Sequence, residues 1–106
     1  MLNQNVETEL IEAISSDQLA TAQGGMPASA QWIMQHESGG NTHAQNPHST
    51  AYGAFQMLRA TRKATMGADW QSSDLNKQYA GATKYVNGRY GGWDQAKRFW
   101  QGHHWY

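Results

Sequence analysis

Cysteine is absent from the 106 residues, which excludes both a disulfide frame and a cysteine-ligated zinc. No apolar run approaches the length of a bilayer-spanning helix. Acid is scarce as well. Beyond residue 25 the chain holds only Glu37, Asp69, Asp74 and Asp94, so any carboxylate chemistry in that part has a single glutamate to draw on. Internal repeats and low-complexity tracts are also missing. The length suits one small domain and a tail.

Aromatics are plentiful. Five Trp and five Tyr are many for this size. A small domain without disulfides needs such side chains to bury enough area, so an aromatic cluster is core by default. The formal charge of zero hides an uneven distribution. Glu7, Glu9, Glu12 and Asp17 are the charged residues of positions 1–25. All eight Lys and Arg fall after them, against four acids, giving 8 − 4 = +4 from Met26 onward. That charge suits an anionic polymer such as a bacterial wall. Nucleic acid would have nothing else in its favour.

Residues 1–25 form an acidic, weakly amphipathic helix former ending in Gly24-Gly25. With neither a basic start nor a continuous apolar stretch, this is not a Sec signal. It resembles the double-glycine leader of bacteriocins and related exported peptides, because Ile11, Ile14, Leu19 and Ala22 fall at the matching distances upstream. The resemblance implies cleavage after Gly25 by the peptidase domain of an ABC exporter. An ordinary acidic helix with a Gly-Gly turn is the plain alternative, and Met26 as a start of its own would give the same product. The division expected is thus an export leader, 1–25, and a domain, 26–106.

Four helical stretches are expected in that domain. They are 27–37 with Gly39-Gly40 as its stop, 54–66, 73–90 with Ser73 as N-cap, and 93–101. The 40–52 loop is rich in turn formers and has room for a short β-hairpin. On the first helix Glu37 shares a face with Ile33 and Met34, an unusual side for a carboxylate meant only for solubility. Apolar surroundings hold a carboxyl protonated, which is what protonating a glycosidic oxygen requires. A conventional glycosidase needs a second carboxylate within about 5–10 Å. Asp69, Asp74 and Asp94 sit in polar or helix-start contexts that suit this poorly.

Three stretches in order, "HESGGN", "AYGAFQMLRAT" and "RYGGWDQAKRFWQG", resemble the lysozyme-like lytic transglycosylases of the soluble-lytic-transglycosylase type. The first two also resemble resuscitation-promoting factors, and the Trp-Tyr ending resembles small wall proteins of lactobacilli. Glu37-Ser38 matches the catalytic Glu-Ser. Residues 53–61 match Gly-Leu-Met-Gln-Leu-Met-Pro-Ala-Thr, with Arg59 in place of Pro. Trp100-Gln101 stands where the family has Tyr-Asn, and the resemblance makes Trp100 a candidate substrate-binding residue. The resemblance implies an all-α lysozyme-like domain that cuts the MurNAc–GlcNAc bond of peptidoglycan. Glu37 would be its one acid and base, and the product a 1,6-anhydro end; goose-type hydrolysis is the variant.

Ser38 would fix the carboxyl or the loop, and Gln56 would bond the sugar or the Glu37 carboxyl. Tyr52 and Tyr85 serve equally as core or as subsite walls, and one of them would bring the hydroxyl that Trp100 lacks. Adjacent His103 and His104 point in different directions and have no partner spacing for a metal. The expectation is a secreted, wall-associated, bacteriocin-like monomer without cofactor. A wall-binding or aggregation-promoting module that kept the fold is the alternative. A membrane-active peptide is weakly founded, since no long cationic amphipathic helix follows Gly25.

Overall fold

The computed structural model describes residues 25–106. The expected leader up to Gly24 lies outside the described residues. Gly25 is exposed, whereas the next residue, Met26, is 1% exposed and belongs to the core.

Helix α1, Ala28–Ser38, follows Pro27, whose extended backbone ends the preceding chain. It stops at Gly39, which takes the left-handed conformation (φ 66°) that a side chain resists, and donates its N–H to Gln35 O at 3.0 Å. Ala30, Ile33 and Met34 form its buried face, so Glu37 continues that face at the helix end. Helix α2, Arg59–Met66, is short and leads into a 3₁₀ turn, Gly67–Asp69. Helix α3, Leu75–Tyr90, buries Gln78, Gly81, Ala82 and Val86. Asp74 is its N-cap, accepting from Lys77 N at 3.0 Å; the cap is therefore Asp74 and not Ser73. Helix α4, Trp93–His103, runs two residues beyond its expected end. α1 packs on α4, α2 on α3, and α3 on α4, around Phe55, Ile33, Val86 and Met26. The all-α fold expected from the sequence is the one observed.

The second helix begins later than its apolar spacing suggests. Residues 54–58 are not helical, because their backbone groups are claimed by other partners. Gln78 is 2% exposed and its Oε1 accepts from Ala54 N at 2.9 Å. Its Nε2 donates to Thr42 O at 3.0 Å and to Ser72 O at 2.9 Å. One side chain on α3 thus anchors three loop segments. Gly53 lies against it at φ +89°, where an added Cβ would come within 2.7 Å of the Gln78 amide nitrogen. Gln56 itself adopts φ 51°. Ala54, Phe55 and Met57 are still buried, but as a loop pressed into the core. The expected hairpin reduces to two isolated antiparallel bridges, Gln45 with Tyr52 and Tyr52 with Met57.

Candidate active site

Glu37 is the penultimate residue of α1, half-buried where α1 meets α4. Its Oε2 accepts a 2.6 Å hydrogen bond from Trp100 Nε1. Burial raises the Glu37 pKa above the ordinary 4.5; the Trp100 bond and the nearby His36 charge oppose that rise without cancelling it. An indole N–H can only donate, so Oε2 must act as acceptor. A carbonyl oxygen is the better acceptor, so this bond favours Oε1 as the site of the proton when the carboxyl is protonated. Trp100, expected from the sequence as a substrate-binding residue that lacks a hydroxyl, is thus bonded to the Glu37 carboxyl itself.

The neighbouring side chains form an aromatic wall. Trp32 stacks on His36 with ring centroids 3.7 Å apart. Trp100 meets both rings edge-on, at 5.2 Å and 5.1 Å. The Lys97 ammonium stands 5.1 Å from the Trp32 ring centroid. Ser38 binds the loop instead of the carboxyl: its hydroxyl donates to Ala54 O at 2.7 Å and accepts from Gly40 N at 3.1 Å. That bond fastens the end of α1, and with it Glu37, to the segment around Phe55.

Tyr106 is the residue that sequence reasoning missed. Its hydroxyl donates to Phe55 O at 2.7 Å, and its ring meets Tyr85 edge-on at 5.6 Å. Burial pushes its pKa far up, and the negative charge of Glu37 pushes it further, so the phenol lies within electrostatic range of that carboxylate. Sequence offered no signal for this contact, because 51 residues separate Tyr106 from Phe55. Tyr85, Tyr106 and Gln56 line a small cleft of about 60 Å³ with Met57, Leu58 and Thr61.

Gln56 commits its amide hydrogens elsewhere, to Ala44 O and Gly53 O, both at 2.9 Å, so it offers Glu37 no donor. Only its Oε1 is left for a ligand. Tyr52 is likewise not a partner of Glu37; its ring lies beside Arg62, 5.3 Å from the guanidinium carbon. It lines a larger cleft of about 330 Å³ whose walls contain no carboxylate. That cleft is the larger of the two, yet it holds no carboxyl, whereas the smaller one lies beside Tyr106, whose phenol feels the charge of Glu37.

Among the described residues the three aspartates are engaged with other partners. Asp94 accepts from Ser29 Oγ at 2.5 Å, Asp74 caps α3, and Asp69 pairs with Lys77 at 3.3 Å. Among the described residues no three side chains of metal-ligating type come together. His103 stacks on Phe99, with centroids 3.9 Å apart.

Residues 15–105 match the family described as the transglycosylase SLT domain, a match that begins ahead of the Gly24-Gly25 junction. Over 47 residues the chain is 47% identical to the probable transglycosylase SceD 2 of Staphylococcus saprophyticus, covering 44% of this chain and 19% of that protein. Over 85 residues it is 33% identical to the probable transglycosylase IsaA of Staphylococcus haemolyticus, covering 80% of this chain and 32% of that protein. The matches thus span about a third or less of these relatives' lengths. No solved structure matches the chain significantly.

Proposed function

The chain belongs to the transglycosylase SLT family, and from that premise we propose that it is a peptidoglycan lytic transglycosylase with Glu37 as its single acid and base. The observation that carries this reading is the half-buried Glu37 carboxyl, raised in pKa, with Oε2 tied to Trp100 at 2.6 Å. In this mechanism the Oε1 proton passes to the glycosidic oxygen as the C1–O bond breaks. The N-acetyl group of the MurNAc sugar supports the electron-poor C1. The Glu37 carboxylate then takes the proton of the C6 hydroxyl, whose oxygen closes on C1 as a 1,6-anhydro ring. The acid form of Glu37 is restored. Asp69, Asp74 and Asp94 are held by other groups, which favours one carboxyl in both roles. The wall of Trp32, His36 and Trp100 offers aromatic faces against which a sugar ring can lie. Loss of turbidity in purified wall suspensions tests the activity; binding without lysis would turn the reading to a wall-binding module.

Trp100→Phe keeps the bulk and removes the donor. The rate of lysis is expected to fall about 10- to 100-fold, at or below the usual cost of deleting one oriented donor. Because the Trp100 bond favours the carboxylate, its loss raises the Glu37 pKa further. The alkaline limb of the pH–rate profile should therefore move to higher pH. A limb that stays in place would remove Trp100 from the control of that proton.

The setting proposed is export with a bacteriocin-like, double-glycine leader and action at the wall. Support comes from the hydrophobic spacing ahead of Gly24-Gly25 and the change from acidic to basic composition there. The exposed Gly25 beside a buried Met26 also suits a cut at that point. Mass analysis of secreted chains should give Met26 as the first residue, and Gly24→Trp should block processing. Secreted chains that still begin at Met1 would refute the leader.

A further inference from the structure

The larger cleft has no part in the proton transfers at Glu37, yet its walls are chemically specific. Arg62 lines it and is 6% exposed. Its Nε donates to Met57 O at 3.0 Å, Nη1 to Trp70 O at 3.1 Å and Nη2 to Thr50 O at 2.7 Å. A guanidinium carries five N–H groups, so two remain beyond these three. The charge lies between the rings of Tyr52 and Trp70, 5.3 and 5.4 Å from their centroids. No acid lines the cleft, and Asp69, the neighbour of Trp70, pairs with Lys77.

Arg59 brings a second positive charge to the same cleft. Burial lowers the Arg62 pKa; Tyr52 opposes that fall, and the charge of Arg59 adds a smaller lowering, the mark of repulsion between the two guanidiniums. An anion placed between them would relieve that repulsion. Arg59 also occupies the position where the resembled motif has proline, so the second cation distinguishes this chain from that pattern. The remaining walls decide which anion fits. A bare anion, phosphate or carboxylate, calls for donors alone. The lining residues Gln45 and Gln71 carry amides that both donate and accept, and so suit the peptide groups beside a carboxylate. Amides, aromatic faces and a paired cation together match the carboxylate end of a short peptide. About 330 Å³ is within the range of small-ligand pockets.

We propose that the cleft of Tyr52, Arg59, Arg62 and Trp70 binds a carboxylate of the peptide stem carried by the glycan strand. This rests on the reading of the chain as a peptidoglycan-cleaving protein. The site holds the strand by its peptide while Glu37 acts on its sugars.

Binding can be measured without catalysis, on the full chain carrying Glu37→Gln. The probes are a free stem tetrapeptide, its carboxamide-capped form and glycerol phosphate, with the Trp70 indole N–H followed by NMR. The tetrapeptide is expected to shift that signal and the capped form to bind at least 10-fold more weakly. Arg59→Gln, a change at an exposed side chain, should weaken the tetrapeptide by a similar factor. In the otherwise wild-type chain, Arg59→Gln should raise KM for stem-bearing walls with kcat unchanged. It should leave cleavage of peptide-free glycan as it was. Equal binding of the capped peptide, no shift of Trp70, or preferential binding of glycerol phosphate would each overturn the proposal. Because binding is read in a chain without the acid, absence of wall lysis in the wild type would count against the enzyme reading alone.

Discussion

Glu37→Gln is expected to slow wall lysis by about 10³- to 10⁴-fold, the upper end of what loss of an acid–base catalyst costs. The amide keeps the shape of the carboxyl, and its oxygen can still accept from Trp100 Nε1, so the α1–α4 contact should survive. What it lacks is the proton on the oxygen facing the substrate. The same substitution should raise stability near neutral pH. In the folded protein burial raises the Glu37 pKa, so ionising the group is harder there than in the unfolded chain. Stability from this group is complete below the ordinary value of 4.5 and is lost as pH rises through the raised folded value. Glutamine carries no such penalty. Scanning calorimetry should therefore find the variant with a higher Tm than the wild type at pH 7, and no difference well below pH 4.5. An inactive variant with unchanged Tm at both pH values would mean that burial does not tune this carboxyl.

Phe55→Ala should have the largest effect on stability. The ring is 1% exposed, with centroids 5.4 Å from Trp93 and 6.2 Å from Tyr79. Truncating a buried aromatic to Ala typically costs about 3–5 kcal/mol. Small domains hold only roughly 5–15 kcal/mol in total, so much of the margin goes. At about 4–8 °C per kcal/mol, Tm should fall by at least roughly 12 °C. Activity should fall too, because Phe55 O receives the Tyr106 hydroxyl and the adjacent Ala54 O receives Ser38. Both bonds shape the ground around Glu37. A Tm loss below about 4 °C, the shift for 1 kcal/mol, would place Phe55 outside the core.

Helices were legible where a stop signal or a repeating apolar face was strong. Gly39-Gly40 marked the end of α1 within a residue, and Leu75, Tyr79, Ala82 and Val86 outlined α3. The misreading of residues 54–58 has a clear physical origin. Phe55 and Leu58 imitate a helical spacing, but the loop's backbone is held by Gln78, which lies 24 residues away from Ala54. Leu58, which falls in the expected helix 54–66, is 51% exposed. Glu37 stood out because a lone acid on an apolar face has few structural uses. The surroundings of Glu37 were less readable. Trp100 was visible as a departure from a motif and a candidate for binding substrate, but its bond to Glu37 was not, because that contact joins residues 63 apart. Tyr52, read as core or subsite wall and a candidate to bring a hydroxyl to Glu37, lies instead with its ring beside Arg62.

The central claim is that one carboxyl serves as acid and then base, with the sugar's own hydroxyl replacing water. Mass analysis of the glycan fragments released from purified walls tests it most directly. Fragments with 1,6-anhydro ends, each lighter by one water than a reducing end, and their loss in Glu37→Gln, are the expected result. Reducing ends from the wild type, or anhydro fragments released as fast by Glu37→Gln, would contradict it.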